Sequence, residues 1–187
     1  MIINKKEIIN QDLSFFDFDL EAFSYLKHEK EHYRLLTYIS KSTENIKIID
    51  AGTSHGHSCL ALAQNPRNKV ITYDIKNKNF AFFNEYKNIK FKQLDINKEH
   101  SDIIKSAQVI LLDIDPHDGV QEKLFTDYLK HMNYKGYVIC DDIHLNQDMK
   151  SWWQSVKIEK YDITDVGHFS GTGLINFNQD GNFKING

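Results

Sequence analysis

The side chains with the clearest chemical potential follow two apolar segments of the chain. The stretch LLDIDPHDG begins as an apolar run, and Asp113 is its first acidic residue. A second apolar run, YVIC, is followed at once by the pair Asp141 and Asp142. Carboxylates held close together raise one another's pKa or require a cation. We therefore expect these two segments to end at a binding or catalytic site.

Short apolar segments alternate with stretches of helical character along most of the chain. This alternation is typical of an α/β fold in which helices cover a mostly parallel sheet. Strands are predicted over 46–50, 70–74, 89–94, 109–113 and 137–141. Helices are predicted over 57–64, 80–86, 98–107, 120–132 and 147–155, with an amphipathic leading helix over 20–39. We expect a Rossmann-like, doubly wound sheet.

The end of the chain departs from this alternation. Strands are predicted over 158–164 and 173–177, and the link between them is too short for a right-handed crossover. These two strands should therefore be antiparallel. The pair Asp180-Gly181 is expected to close a final hairpin. We predict one domain over 1–187, with a leading helical segment over 1–45, a core over 46–178 and a short tail over 179–187.

A glycine-containing loop, DAGTSHG, follows the first predicted strand. Gly52 and Gly56 allow a tight turn and a close approach to a ligand, and the helix after them offers free N–H groups. Asp74 closes the second strand, where a carboxylate can accept hydrogen bonds from ribose hydroxyls. The loop lacks the G-x-G-x-x-G pattern of dinucleotide sites, and Asp50 would repel a pyrophosphate. A cationic ligand without phosphate, such as S-adenosylmethionine (SAM), suits this loop better.

From about residue 46 to residue 177 the chain resembles the class I SAM-dependent methyltransferases, whose D/E-x-G-x-x-x-G motif matches DAGTSHG. The resemblance implies that the loop holds the methionine part of SAM, that Asp74 binds the ribose and that Asp95 lies near the adenine. The candidate cofactor-binding residues are Asp50, Gly52, Thr53, Ser54, Gly56, Ser58, Asp74, Asp95 and Asp113. Two alternatives stay open. The glycines could make a tight turn in another doubly wound fold, and Asp95 could be only a helix cap.

The acidic residues also resemble those of metal-dependent small-molecule O-methyltransferases, of the catechol type and of the macrocin type that acts on sugars. In that family the fourth and fifth strands are neighbours, about 4.8 Å apart. The resemblance implies that Asp113, Asp141 and Asp142 bind Mg²⁺, which prefers oxygen ligands. Catechol-type enzymes place a lysine base three residues after the first ligand, where this chain has Pro116.

Two histidines are candidates for the base. His117 and His144 each follow an acidic strand end, and either could accept a proton from a hydroxyl. His168 is a candidate to line the acceptor side. Asp115 and Asp118 have a simpler explanation as turn and helix-cap residues. A calcium loop is excluded, because Asp118 occupies the position that requires glycine.

The sequence thus predicts an Mg²⁺-assisted O-methyltransferase acting on a hydroxyl of a small molecule or glycan sugar. Methyl transfer would be in line, and most of the acceleration would come from alignment. A non-catalytic SAM-binding scaffold and an oxidoreductase on the same fold are the alternatives. The discriminating observations are the dependence of turnover on metal and a titration with NAD.

Composition limits the partners that we expect. The net charge of −3 argues against nucleic acid. The two cysteines lie in apolar surroundings, which favours a reducing, cytoplasmic location. No apolar run reaches the length needed to span a bilayer, so we expect no membrane association. The short chain leaves little room for an acceptor lid, so we expect either a large, partly exposed acceptor or a homodimer whose second subunit completes the site.

Overall fold

The centre of the fold is a seven-stranded sheet. The computed structural model of the protein describes residues 1–16, 32–178 and 184–186. The strands of this sheet are β2 (Lys47–Ala51), β3 (Lys69–Asp74), β4 (Ile89–Gln93), β5 (Val109–Leu112), β6 (Tyr137–Cys140), β7 (Lys160–Asp162) and β8 (Gly173–Asn176). Across the sheet they follow the order β4-β3-β2-β5-β6-β8-β7.

The strand directions confirm the predicted fold class. Strands β4, β3, β2, β5 and β6 pair in parallel. Strand β8 is antiparallel to both β6 and β7. The chain progresses outward in opposite directions from β2 and from β5, so the loops after these two strands diverge and leave a crevice.

Helices cover both faces of the sheet. They are α2 (Tyr33–Lys41), α3 (His57–Leu62), α4 (Phe82–Glu85), α5 (Ser101–Lys105), α6 (Val120–His131) and α7 (Gln147–Ser155), after a short α1 (Lys5–Ile9). Helix α7 has its predicted bounds. Helix α5 begins later than the predicted residue 98, which is the last residue of a 3₁₀ turn over Ile96–Lys98.

The N-terminal segment differs from the prediction of a purely helical leader. Strand β1 (Ile2–Asn4) precedes α1 and pairs in parallel with β9 (Lys184–Asn186). Of the leading helix predicted over 20–39, the described part is α2, and residues 17–31 lie outside the described residues. The predicted turn at Asp180-Gly181 also lies outside them. The strand after it pairs with β1, so the expected hairpin pairing is wrong.

The core is divided between the two faces of the sheet. Neighbouring residues of a strand point to opposite faces, so Ile48 packs in one cluster and Ile49 in the other. Cys59 and Cys140 are buried, unpaired thiols, one in each cluster. None of the helices in the described part of the chain combines the length and the apolar character needed to cross a membrane.

The loop after β2 lies directly against the end of β5. Gly52 has a φ of +111°, and a Cβ at this position would lie 1.6 Å from the carbonyl oxygen of Asp113. The N–H groups of Gly52 and Thr53 both donate to the carbonyl oxygen of Tyr73, at 3.0 and 2.9 Å. The N–H of Asp113 donates to the carbonyl oxygen of Ala51 at 2.9 Å. These contacts bring the ends of β2, β3 and β5 to one point.

Buried side-chain hydrogen bonds connect the loop after β2 to strands β2 and β3. Asp50 is 0 % exposed. The Thr72 hydroxyl donates to Oδ2 of Asp50 at 2.6 Å and lies 2.6 Å from the Thr53 hydroxyl, which therefore donates to it. Burial raises the pKa of Asp50 to about 6, partly opposed by the hydrogen bond from Thr72. The loop is thus fixed on a carboxyl group whose ionisation is costly.

Replacing Asp50 by asparagine should remove a pH-dependent part of the stability. The folded pKa of Asp50 is raised from 3.8 to about 6, so the folded state binds more protons than the unfolded state between these values. Its contribution to the free energy of unfolding therefore falls as the pH rises through this window. The free energy of unfolding of Asp50→Asn, relative to that of the wild type, should rise by about 2–3 kcal/mol from pH 4 to pH 6.5.

Urea unfolding at several pH values measures this difference. Asp102→Asn, at an exposed position of α5, is the matched control for the loss of one carboxylate. A difference between Asp50→Asn and the wild type that does not change with pH would show that the Asp50 carboxyl group does not titrate as expected.

Candidate functional site

A cleft opens at the carboxyl ends of β2, β3, β4 and β5. It has a volume of about 570 Å³. Six of the predicted cofactor-binding and catalytic residues line it: Gly52, Ser54, Asp74, Asp95, Asp113 and His117. The crevice created by the strand order is therefore also the place where the predicted motifs meet.

Asp74 closes β3 at one side of the cleft. The N–H of Ser54 donates to its Oδ2 at 3.0 Å, and the N–H of Lys76 donates to its Oδ1 at 2.8 Å. The ammonium group of Lys78 lies 3.4 Å from Oδ2. These contacts fix the carboxylate at the cleft, where it can still accept hydrogen bonds from two neighbouring hydroxyls.

Asp95 follows β4 and has two roles that the sequence could not separate. Its side chain accepts a hydrogen bond from the N–H of Asn97 at 3.0 Å and so caps the 3₁₀ turn. It also lines the cleft together with Leu94 and the largely exposed Ile75. Apolar side chains beside a carboxylate suit a flat, polar-edged ring such as a purine.

Four of the predicted cofactor residues lie under the loop and do not line the cleft. Asp50, Thr53 and Ser58 are buried. Gly56 begins α3 with a φ of +86°, and a Cβ there would lie 2.5 Å from the ring of Phe82. These residues shape the loop, and Gly52 and Ser54 form its surface toward the cleft.

His117 lies among carboxylates at the other end of the cleft. Its Nε2 is 3.8 Å from Oδ1 of Asp113, 3.6 Å from Oδ1 of Asp115 and 3.7 Å from Oδ2 of Asp142. Its Nδ1 is 3.9 Å from Oε1 of Glu122, a carboxyl group that is 2 % exposed. Burial raises the pKa of Glu122, with the charge of His117 opposing this effect. The imidazole of His117 therefore lies within 4 Å of an oxygen of four carboxyl groups.

The neighbouring acidic groups differ strongly in their ionisation. Burial raises the pKa of Asp113 well above its usual value, and the charges of Asp141 and Asp142 raise it further. Burial also disfavours the charged form of Asp141, but the proximity of His32 and His168 outweighs it and lowers this pKa. Environments that push the pKa values of neighbouring carboxyl groups apart are typical of acid–base sites.

His144, the second candidate base, does not lie in the cleft. Its Nε2 is 2.7 Å from Oδ2 of Asp162, at the end of the edge strand β7. Asp118 accepts a hydrogen bond from the N–H of Val120 at 2.9 Å, in the turn that leads into α6. The structure therefore separates the two histidines that looked equivalent in the sequence.

The predicted magnesium ligands are not gathered into one group. In residues 1–16, 32–178 and 184–186, the set of three ligand atoms lying within 4.8 Å of one another belongs to His32, Asp141 and His168. Asp113 and Asp142 are outside this set. Sequence reasoning missed His32, which precedes α2 far from the other site residues. It also missed Glu122, because an acidic residue in the first turn of a helix is ordinary.

Several solved structures share this fold at low sequence identity. A candidate caffeoyl-CoA O-methyltransferase from Staphylococcus aureus superposes with a TM-score of 0.60 at 16 % identity, covering 92 % of this chain and 98 % of its own. The methyltransferase PaMTH1 of Podospora anserina, bound to S-adenosylhomocysteine (SAH), gives 0.57 at 14 % identity, with coverages of 92 % and 85 %. TomG of Streptomyces achromogenes, an O-methyltransferase of tomaymycin synthesis in complex with SAM, gives 0.54 at 16 %, with 77 % and 78 %.

Fold similarity at this level of identity does not assign the chain to a family, whereas a match to a family does. A search of curated proteins found no match. The family described as "Methyltransferase domain" matches residues 42–173, which contain the glycine loop and every residue that lines the cleft. The chain therefore belongs to the methyltransferase domain family and is a class I SAM-dependent methyltransferase, as its DAGTSHG loop predicted.

Proposed function

We propose that the protein transfers the methyl group of SAM to a hydroxyl oxygen of a small molecule or a glycan sugar. The observation that carries this proposal is the division of one cleft into two ends. Asp74 and Asp95 form an end suited to a nucleoside, whereas Asp113 and His117 form an end suited to deprotonating an acceptor. TomG, a protein of the same fold, is an O-methyltransferase.

The donor is proposed to lie along the cleft from Asp95 to Asp113. Asp95 and Ile75 would contact the adenine, and Asp74 would accept hydrogen bonds from the ribose hydroxyls. The sulfonium would then lie near Gly52, where the absence of a side chain permits a close approach. Negative charge beside the loop attracts the cationic methionine end of SAM and would repel a pyrophosphate.

The acceptor hydroxyl is proposed to lie between the donor methyl group and His117. As the methyl carbon leaves sulfur and bonds to the acceptor oxygen, the hydroxyl proton moves to Nε2 of His117. The products are the methyl ether, SAH and an imidazolium. Oδ2 of Asp142 lies 3.7 Å from Nε2 of His117, and this carboxylate would stabilise the imidazolium as it forms. Alignment of sulfur, carbon and oxygen supplies the larger part of the acceleration.

Two exposed apolar side chains, Phe169 and Leu145, are proposed to contact the acceptor. Phe169 is 62 % exposed and packs its ring edge-on against His168, at 4.5 Å between centroids. Leu145 is also exposed, and its N–H donates to the carbonyl oxygen of Asp142. An exposed ring and an aliphatic side chain beside carboxylates suit the apolar face and the hydroxyl edge of a sugar.

Magnesium at Asp113, Asp141 and Asp142 does not fit this arrangement of side chains. Asp141 is directed at two histidines, and Oδ1 of Asp142 accepts a hydrogen bond from Ser170. The proposed proton transfer is therefore assigned to His117 and uses no step through Mg²⁺.

Removing the carboxylate of Asp74 should weaken donor binding. We expect Asp74→Ala to reduce the affinity for SAM and for SAH at least about tenfold, because two ribose hydroxyls lose a charged acceptor. Isothermal titration calorimetry measures both affinities. Asp102→Ala, outside the cleft, is the matched control and should bind like the wild type. Equal affinities for Asp74→Ala and the wild type would place the donor elsewhere.

Replacing the base should impair turnover without impairing donor binding. We expect His117→Gln to lower kcat about 10²–10⁴-fold and to keep the affinity for SAH within about threefold of the wild type. The assay follows radiolabelled methyl transfer from SAM to a panel of sugars and catechols. His131→Ala, at the exposed end of α6, controls for the loss of a histidine. Undiminished turnover in His117→Gln, or methylation of amine or thiol acceptors instead of hydroxyls, would contradict the proposed chemistry.

A further inference from the structure

Three side chains from distant parts of the chain meet beside the acceptor end of the cleft. His32 immediately precedes α2, Asp141 follows β6, and His168 lies in the connection between β7 and β8. Their side chains are 3 %, 6 % and 13 % exposed. The fold thus brings two imidazoles and one carboxylate together in a nearly dry environment. Such a set is costly unless a charge or an ion balances it.

The separations within this cluster match those of metal ligands. Oδ1 of Asp141 lies 3.2 Å from Nδ1 of His32 and 3.4 Å from Nδ1 of His168. Nitrogen and oxygen ligands bind Zn²⁺ at about 2.0–2.1 Å in a tetrahedron, which puts neighbouring ligand atoms about 3.3 Å apart. The three residues can offer ligand atoms that all lie within 4.8 Å of one another.

One oxygen of the Asp141 carboxylate is buried inside this cluster. Oδ1 of Asp141 is buried and makes no hydrogen bond within the described residues, although two imidazole nitrogens are close to it. Both imidazole nitrogens thus lie within 3.4 Å of one buried carboxylate oxygen. Leaving a buried acceptor without a hydrogen bond costs about 1–3 kcal/mol, and more for a charged group. A cation between the three groups would remove this cost.

Asp142 connects the cluster to the cleft. Its Oδ1 lies 3.1 Å from Nδ1 of His168, and its Oδ2 lies 3.7 Å from Nε2 of His117. The hydroxyl of Ser170 donates to Oδ1 of Asp142 and lies 2.5 Å from Nδ1 of His168. An ion in the cluster would therefore lie close to the acceptor but apart from the donor loop.

We propose that His32, Asp141 and His168 bind one divalent transition-metal ion, of which Zn²⁺ is the representative. Two imidazoles and one carboxylate favour zinc or a similar borderline ion over Mg²⁺, which prefers oxygen ligands. Three protein ligands leave a coordination position for water or for an acceptor oxygen. The inference rests on the geometry of these three side chains and does not depend on the proposed methyl transfer to a hydroxyl. It shares only Asp141 with the magnesium set predicted from the sequence.

Metal titration of the full-length, untagged chain tests this proposal. After treatment with a chelator, Zn²⁺ should bind in competition with a chromophoric indicator, with one ion per chain, and a large excess of Mg²⁺ should not displace it. Co²⁺ in the same site should give the visible absorption of a low-coordinate ion with nitrogen ligands. His168→Ala should lower the Zn²⁺ affinity at least about a hundredfold, because it removes one of three ligands.

Two controls make the result specific to this cluster. His144→Ala removes the nearby histidine that pairs with Asp162, and Asp113→Asn removes a carboxylate of the cleft; both should keep the wild-type Zn²⁺ affinity. Zn²⁺ should raise the Tm of the wild type but not that of His168→Ala, which shows that the variant folds and lacks the site. Substoichiometric binding, binding unchanged in His168→Ala, or binding lost in Asp113→Asn would each overturn the proposal. SAH affinity measured on the same samples reports separately on the donor site.

Discussion

The structure depends on the contact between the backbone of Gly52 and the backbone of Asp113. There is no room for a side chain between the loop after β2 and the end of β5, and the Gly52 backbone has a left-handed φ. This contact places the donor loop directly beside the first acidic residue of the acceptor end. The glycine therefore serves two purposes, because it lets the strands' ends approach and leaves space for a ligand. The cleft between Asp74 and His117 follows from that approach.

Charge is distributed unevenly around this contact. Two aspartates lie on the donor side. Asp50 is buried beneath the loop, and Asp74 is fixed at the cleft by hydrogen bonds from the N–H groups of Ser54 and Lys76. On the acceptor side, carboxylates alternate with imidazoles, and Asp142 lies between His117 and His168. This alternation explains how a stable domain accommodates several acidic groups in one place. Each carboxylate there faces a group that can carry positive charge or accept a proton.

Much of the fold could be predicted from the sequence, and the reasons are physical. Buried parallel strands such as β5 are continuous apolar runs, and the short link before β8 excludes a crossover. Strands β1 and β9 have three residues each, too few for a periodic signal.

His117 and His144 could not be distinguished, because each follows an acidic strand end. What separates them is the backbone of His117, with a φ of 56°, and the presence of Asp162 beside His144. The pairing of His32 with Asp141 spans more than half of the chain and leaves no local pattern.

A crystal structure of the protein with SAH would locate the donor relative to the Gly52–Asp113 contact. We expect the ribose hydroxyls to contact Asp74 and the adenine to lie beside Asp95 and Ile75. The sulfur should lie near Gly52 and face the end of the cleft that Asp113 and His117 line. An empty cleft at saturating SAH, or a ligand whose sulfur lies on the far side of the loop from Asp113, would contradict it.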